Sequence, residues 1–172
     1  ILVVDDEESL RRVTQLKLQQ AGYEASTAAD GAAALGLLAH HRQDLIVTDM
    51  KMPGMSGIDL LRKVKEDYPE IIVVVVTAFG TIESAVEAMR LGAYDYLIKP
   101  INADALRMVV SRALEHHRLR EEVQSLRSLI DRKFGFESII GKSKGLLATL
   151  DSAARAAQSA STVLVRGETG TG

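Results

Sequence analysis

The sequence contains no cysteine and no tryptophan. Without thiols there is neither a disulfide framework nor a thiolate metal site, which fits a reducing compartment. Aromatic residues make up 4% of the chain, too few to build base-stacking platforms for single-stranded nucleic acid. No apolar run reaches the roughly 18 residues that read as a membrane span. An excess of either charge is also missing: 21 Lys and Arg stand against 23 Asp and Glu, a net charge of -2. That balance excludes a strongly basic nucleic-acid-coating surface and offers a membrane no bulk electrostatic attraction. What remains is ordinary globular composition, 47% hydrophobic and 26% charged. At roughly 100–200 residues per domain, 172 residues make one domain with something left over. The chain opens without Met in the strand-like ILVV and stops at GETGTG, so a fragment cut inside structure at both ends is expected.

Up to Pro100, short apolar runs alternate with amphipathic stretches. Ile1–Val4, Glu24–Ala28, Leu45–Thr48, Ile71–Val76 and Ala93–Ile98 read as strands. The run from Ile71 to Val76 is β-branched throughout, as suits a strand covered on both faces. Between them, Leu10–Ala21, Ala32–Ala39, Ile58–Val64 and Ile82–Leu91 carry helical spacing. Gly22 and Gly92 follow two of these as stops, and Asp30 and Ser56 stand where N-caps are useful. Five βα units with such short connections imply an α/β, doubly wound parallel sheet with crossover helices.

From Ala103 to about Ile130 there is neither Gly nor Pro, and helix formers dominate. Leu106, Val109, Val110, Ala113 and Leu114 can pack on the sheet. Beyond them Leu119, Val123, Leu126 and Ile130, spaced 4, 3 and 4, form a short heptad seam. A helix of this extent is about 42 Å long, so its second half reaches past one domain and wants a partner. A dimeric coiled coil is expected, although Arg112 and His116 fall on the same seam and weaken it there; folding back on its own chain is the alternative. Gly135 ends this helix, Leu146–Ala157 reads as another, and Thr162–Val165 reads as a strand entering Gly167-Glu168-Thr169-Gly170-Thr171-Gly172.

Chemistry concentrates at the carboxyl ends of the strands, where open α/β sheets bind ligands. Asp5 and Asp6 follow the first strand, Asp49 the third, Thr77 the fourth and Lys99 the fifth. Carboxylates converging on one rim repel one another unless a cation neutralises them, and a hard, oxygen-loving ion such as magnesium fits. A magnesium ion, an ammonium and a hydroxyl around one carboxylate make a receptacle for a phosphoryl group. Asp49 is the natural nucleophile, since it ends a central-type strand and a turn at Pro53-Gly54 follows. Any one of these acids alone reads as a helix cap; their joint spacing does not. His40-His41 and His116-His117 read as solvated pairs near helix ends, without a metal or phosphotransfer role.

The segments ILVVDDE, DMKMPGMSG, TAFG and YDYLIKP resemble the receiver domain of two-component response regulators, over Ile1 to about His117. The resemblance implies a flavodoxin-like (βα)5 fold with strand order 2-1-3-4-5. It makes Asp49 the phosphoacceptor. Asp5, Asp6, Asp49 and the backbone carbonyl of Lys51 would hold magnesium, and Lys99 and Thr77 would face the phosphoryl group. Ala78 leaves space beside the acceptor, Tyr96 matches a switch aromatic whose other reading is plain packing, and Lys99-Pro100 is expected to be cis. The implied donor is a phosphohistidine on a sensor histidine kinase, in the cytoplasm.

GETGTG matches the first six positions of G-x-x-x-x-G-K-[ST]. FESIIGKSKG, from Phe136 to Gly145, resembles the entry of the AAA+ ATPase domain of NtrC-like sigma-54-dependent activators. The division expected is a receiver at 1–117, a linker helix or coiled coil at 118–133, and the start of the ATPase domain at 134–172. The P-loop lysine and hydroxyl, the remaining ATPase motifs and the DNA-binding helix-turn-helix lie outside this sequence. The fragment is therefore not expected to be an enzyme, and ATP, sigma-54 RNA polymerase and promoter DNA belong to the complete parent. Two other readings are a magnesium-dependent aspartyl-phosphate hydrolase and a phosphorylation-independent dimerisation scaffold. The hydrolase lacks the D-x-D nucleophile motif and any evident cap or general acid; intact Asp49, Thr77 and Lys99 argue against the scaffold.

Overall fold

A computed structural model describes residues 1–78, 82–134, 141, 143–157, 162–164 and 166–167, the side chains of 82, 83, 127 and 129–134 excepted. The elements run β1 (Leu2–Val4), α1 (Glu8–Gln20), β2 (Ser26–Ala28), α2 (Gly31–Leu38), β3 (Leu45–Asp49), α3 (Gly57–Asp67), β4 (Ile72–Thr77), α4 (Ile82–Arg90), β5 (Asp95–Ile98), α5 (Ala103–Phe134) and α6 (Lys144–Ala157). The five strands form one parallel sheet in the order β2-β1-β3-β4-β5, the doubly wound arrangement expected from the sequence. Contacts divide the chain into two units, Ile1–Glu122 and Val123–Gly172.

Alternation along the strands builds the first unit's core. Leu2, Val4, Ile46, Val73 and Val75 point to one face, against Leu38, Leu60, Leu61, Val64 and Ala88 of α2, α3 and α4. Val3, Leu45, Val47, Val74 and Val76 point to the other, against Leu18 of α1 and Leu106, Val109, Val110 and Ala113 of α5. β4 is buried along its whole length because helices cover both faces, which explains its unbroken β-branched run. The caps fall where expected. Asp30 accepts the Ala33 N–H at 2.8 Å, and Ser56 and Asp59 cap α3 reciprocally. Gly22, at φ 89°, closes α1 in a conformation that disfavours a side chain.

Two strand boundaries shrink. β2 begins at Ser26 rather than Glu24 because an edge strand has only β1 to pair with, and β5, the other edge, begins at Asp95 rather than Ala93. Lys99-Pro100 is cis, as the resemblance implied. The strand expected at Thr162–Val165 is corrected: Thr162–Leu164 lie in no regular element, and Val165 is outside the described residues. A short segment of this kind acquires a strand only with a ladder partner, and none pairs with Thr162–Leu164 among the described residues. In the second unit Ser143 caps α6 by accepting the Leu146 N–H at 3.2 Å, and Arg155 pairs with Asp151 one turn away.

Candidate functional site

Strand register brings the acids together. Val4 sits opposite Thr48, so Asp5, the next residue, emerges beside Asp49. Asp49 is itself opposite Val76, and Thr77 opposite Ile98, which sets Thr77 and Lys99 one step further along the same rim. Ladder bonds continue past the strand ends: Met50 donates its N–H to the Val76 carbonyl at 2.7 Å, and Lys99 donates its own to Thr77 at 2.8 Å. Asp5, Asp49 and Thr77 are all buried, unusual for polar side chains and costly without partners.

Carboxylate oxygens of Asp5, Asp6 and Asp49 lie within 4.8 Å of one another. Unit charges at that spacing repel by about 3 kcal/mol per pair at an effective dielectric of about 20. Lys99 answers part of this charge, placing its Nζ 2.9 Å from Asp5 Oδ2 and 3.2 Å from Asp49 Oδ2. The remaining oxygens are held by the backbone: Asp5 Oδ1 accepts the Glu7 N–H at 2.9 Å, and Asp49 Oδ1 accepts the Met50 N–H at 2.9 Å. Both ends of the Lys99–Asp49 pair shift upward. Burial pushes the Asp49 carboxyl above its ordinary range, and the neighbouring Asp5 charge adds to this; Lys99 and the Met50 N–H oppose it without cancelling it. Burial by itself would pull Lys99 down, but its bonds to Asp5 and Asp49 and their charges together outweigh that and raise it. The shared direction has two causes: burial dominates at Asp49, whereas at Lys99 two carboxylates together outweigh burial.

The all-oxygen donor set, two buried members and one exposed, suits a hard divalent cation rather than a soft one. Lys51, whose backbone carbonyl completes the expected set, follows two residues after Asp49 and is an exposed residue. Tyr96 is 37% exposed on the edge strand, so it is not a core side chain.

The remaining predicted residues lie elsewhere. Leu119, Val123 and Leu126 are each about half exposed along α5, and the Ile130 side chain is outside the described residues. Arg112 and His116, the weak points of that seam, are engaged by β5 and its approach: Arg112 pairs with Asp95 at 2.5 Å, and the His116 ring lies 6.0 Å from that of Tyr94. Gly167 is exposed outside any regular element, and Glu168, Thr169, Gly170, Thr171 and Gly172 fall outside the described residues.

Two residues that sequence reasoning did not single out also shape the site. A Cβ on Gly57 would overlap the carbonyl oxygen of Asp49, and the Gly57 N–H bonds the Met50 carbonyl at 2.9 Å. This close approach seats the start of α3 against the end of β3 at Asp49. Arg11, on α1, reaches back to the carbonyls of Asp5 and Asp6. Gly57 sat within a recognisable motif without a role; no spacing rule pointed to Arg11.

Residues 1–111 match the family model for the response regulator receiver domain. The chain belongs to that family. It is 35% identical over its full length to the regulatory protein AtoC of Escherichia coli (strain K12) and 33% identical to the DNA-binding transcriptional regulator NtrC of the same organism. It spans 37% and 36% of those two proteins, and so about a third of the curated relatives' length. A crystal structure of NtrX from Brucella abortus superimposes with a TM-score of 0.70 at 35% identity, covering 91% of this chain and 34% of that one. NtrX has also been solved in complex with ADP. The chain is thus a two-component receiver of the NtrC-like group of transcription regulators.

Proposed function

We propose that Asp49 accepts a phosphoryl group from a phosphohistidine on a sensor histidine kinase. The observation that carries this reading is the buried Asp5–Lys99–Asp49 arrangement at the carboxyl rim of the sheet. An Asp49 Oδ attacks phosphorus in line with the P–N bond. That bond breaks, its electron pair stays on the imidazole nitrogen, and an acyl phosphate remains on Asp49. Asp5, Asp6, Asp49 and the Lys51 carbonyl would hold magnesium, which supplies positive charge against the phosphoryl oxygens. Lys99 is already within reach of the acceptor and exchanges part of its contact with Asp49 for the new oxygens, while the Thr77 hydroxyl turns to the same group.

The modification adds about two negative charges at a rim with Lys99 already shared between two acids. Drawing Lys99 and Thr77 inward pulls on the ends of β5 and β4, and the α4–β5–α5 surface repacks with Tyr96 at its exposed edge. Such a device is a two-state switch biased by charge. In the full-length protein, by analogy with the NtrC-like group, this switch would control a homodimer joined through α5. Its output would be an ATP-dependent AAA+ domain acting on sigma-54 RNA polymerase at promoter DNA, in the cytoplasm. No described helix is long and apolar enough to cross a membrane. Incubation with acetyl phosphate and magnesium tests the acceptor: Asp49→Asn should take up no label, and uptake at the unaltered rate would refute the assignment.

A further inference from the structure

The loop carrying two of the three acids, Asp5-Asp6-Glu7, is poorly held by local means. Glu7, the N-cap of α1, makes no side-chain cap bond; its carboxylate accepts the Ser9 hydroxyl at 2.6 Å instead. The Asp5 carboxylate is spent on the Glu7 N–H and on Lys99. Asp6 is exposed, and its carboxylate faces two others. Repulsion among them favours rotating the peptide planes on either side of Asp6, which would carry its carboxylate away from Asp49.

One side chain opposes that rotation. Arg11 Nη1 donates to the Asp5 carbonyl at 2.6 Å and lies 3.4 Å from the Asp6 carbonyl, the oxygens of those two peptide planes. A cationic donor to a carbonyl is among the stronger hydrogen bonds. Arg11 is partly buried, one helical turn into α1, and its own N–H bonds the Glu7 carbonyl at 2.9 Å, so loop and clamp are one unit. Arg12 provides the contrast: it is exposed and gives its guanidinium to Gln15 at 3.1 Å. The geometry points to Arg11 as a positioning residue for the divalent cation, holding the Asp5 and Asp6 carboxylates toward Asp49 by gripping their backbone carbonyls. This rests on the reading of Asp5, Asp6 and Asp49 as the cation site.

The test is direct Mn2+ binding to the whole chain, followed by electron paramagnetic resonance of the free ion, with no phosphodonor present. Wild type is compared with Arg11→Met, Arg11→Lys, Arg12→Met and Asp5→Asn. Arg11→Met should bind Mn2+ about tenfold more weakly, the loss typical of removing a group that orients a metal ligand. Arg11→Lys, which keeps one donor to the Asp5 carbonyl, should recover part of the affinity, and Arg12→Met should match wild type. Raising magnesium should return the acetyl phosphate labelling rate of Arg11→Met to the wild-type value, which a general loss of structure would not permit. Unchanged affinity in both Arg11 variants, with Asp5→Asn weakened, would overturn the Arg11 role while leaving the cation site standing. Absence of Mn2+ binding to wild type would overturn the site itself.

Discussion

Asp49 is a carboxylate that the fold buries at the strand rim beside Lys99. Its folded-state proton affinity is raised chiefly by burial. Protonated in both states, it costs nothing at low pH; as pH rises through its raised value, the folded state must hold a charge that the unfolded chain holds more easily. Asp49→Asn removes that cost, so the variant should melt above wild type at neutral pH, and the gap should close as pH falls through the carboxylate range. Thermal melts at a series of pH values read this. Lys99 carries the opposite sign. Its raised value means that its contribution is complete below the ordinary lysine range and fades as pH climbs through the folded value. Lys99→Met leaves Asp5 and Asp49 without their shared counter-charge and should cost about 3 kcal/mol at neutral pH, by the behaviour of buried ion pairs that lose one partner. Denaturant titration checks it, and added magnesium should restore part of the loss. At Gly57 the constraint is steric. Gly57→Ala drives a methyl into the Asp49 carbonyl and should cost about 1–3 kcal/mol, the range for overpacking, with slower labelling of Asp49.

At the scale of elements, what was legible in the sequence follows from how each element is held. β4 was readable because burial on both faces leaves a continuous β-branched run. β2 and β5 are shorter than their sequence patterns because residues leading into an edge strand look the same whether or not they enter the ladder. Thr162–Leu164 failed for the same reason in extreme form, since apolar composition cannot supply a ladder. The rim acids were legible because the carboxyl end of each strand marks where its next side chain emerges, and equal strand registers bring those ends level. The Arg11 contact was not, because it depends on the path of a three-residue turn rather than on a periodic face. α5 was read as one helix and is one, with its packing residues on the sheet and Leu119, Val123 and Leu126 half exposed beyond them. Those three predict association: the chain should sediment as a dimer at micromolar concentration, and Val123→Arg should return it to a monomer. A monomeric wild type, with and without beryllofluoride, would contradict the seam.

For the whole molecule, residues 1–111 match the receiver family, and α5 runs on past them with Leu119, Val123 and Leu126 half exposed. The chain covers about a third of its full-length relatives, and the receiver is the part whose site its own residues build. Two functions use a rim of this kind: a receiver that holds its phosphoryl group as a signal and a hydrolase that turns it over. The measurement that separates them is mass spectrometry of the whole chain after incubation with acetyl phosphate and magnesium, with phosphate release followed in parallel. A single added phosphoryl group, labile to hydroxylamine and mapped to Asp49, is the expected result. It should be absent from Asp49→Asn and absent when magnesium is chelated. Modification of any other residue, or sustained turnover of phosphomonoesters, would contradict it.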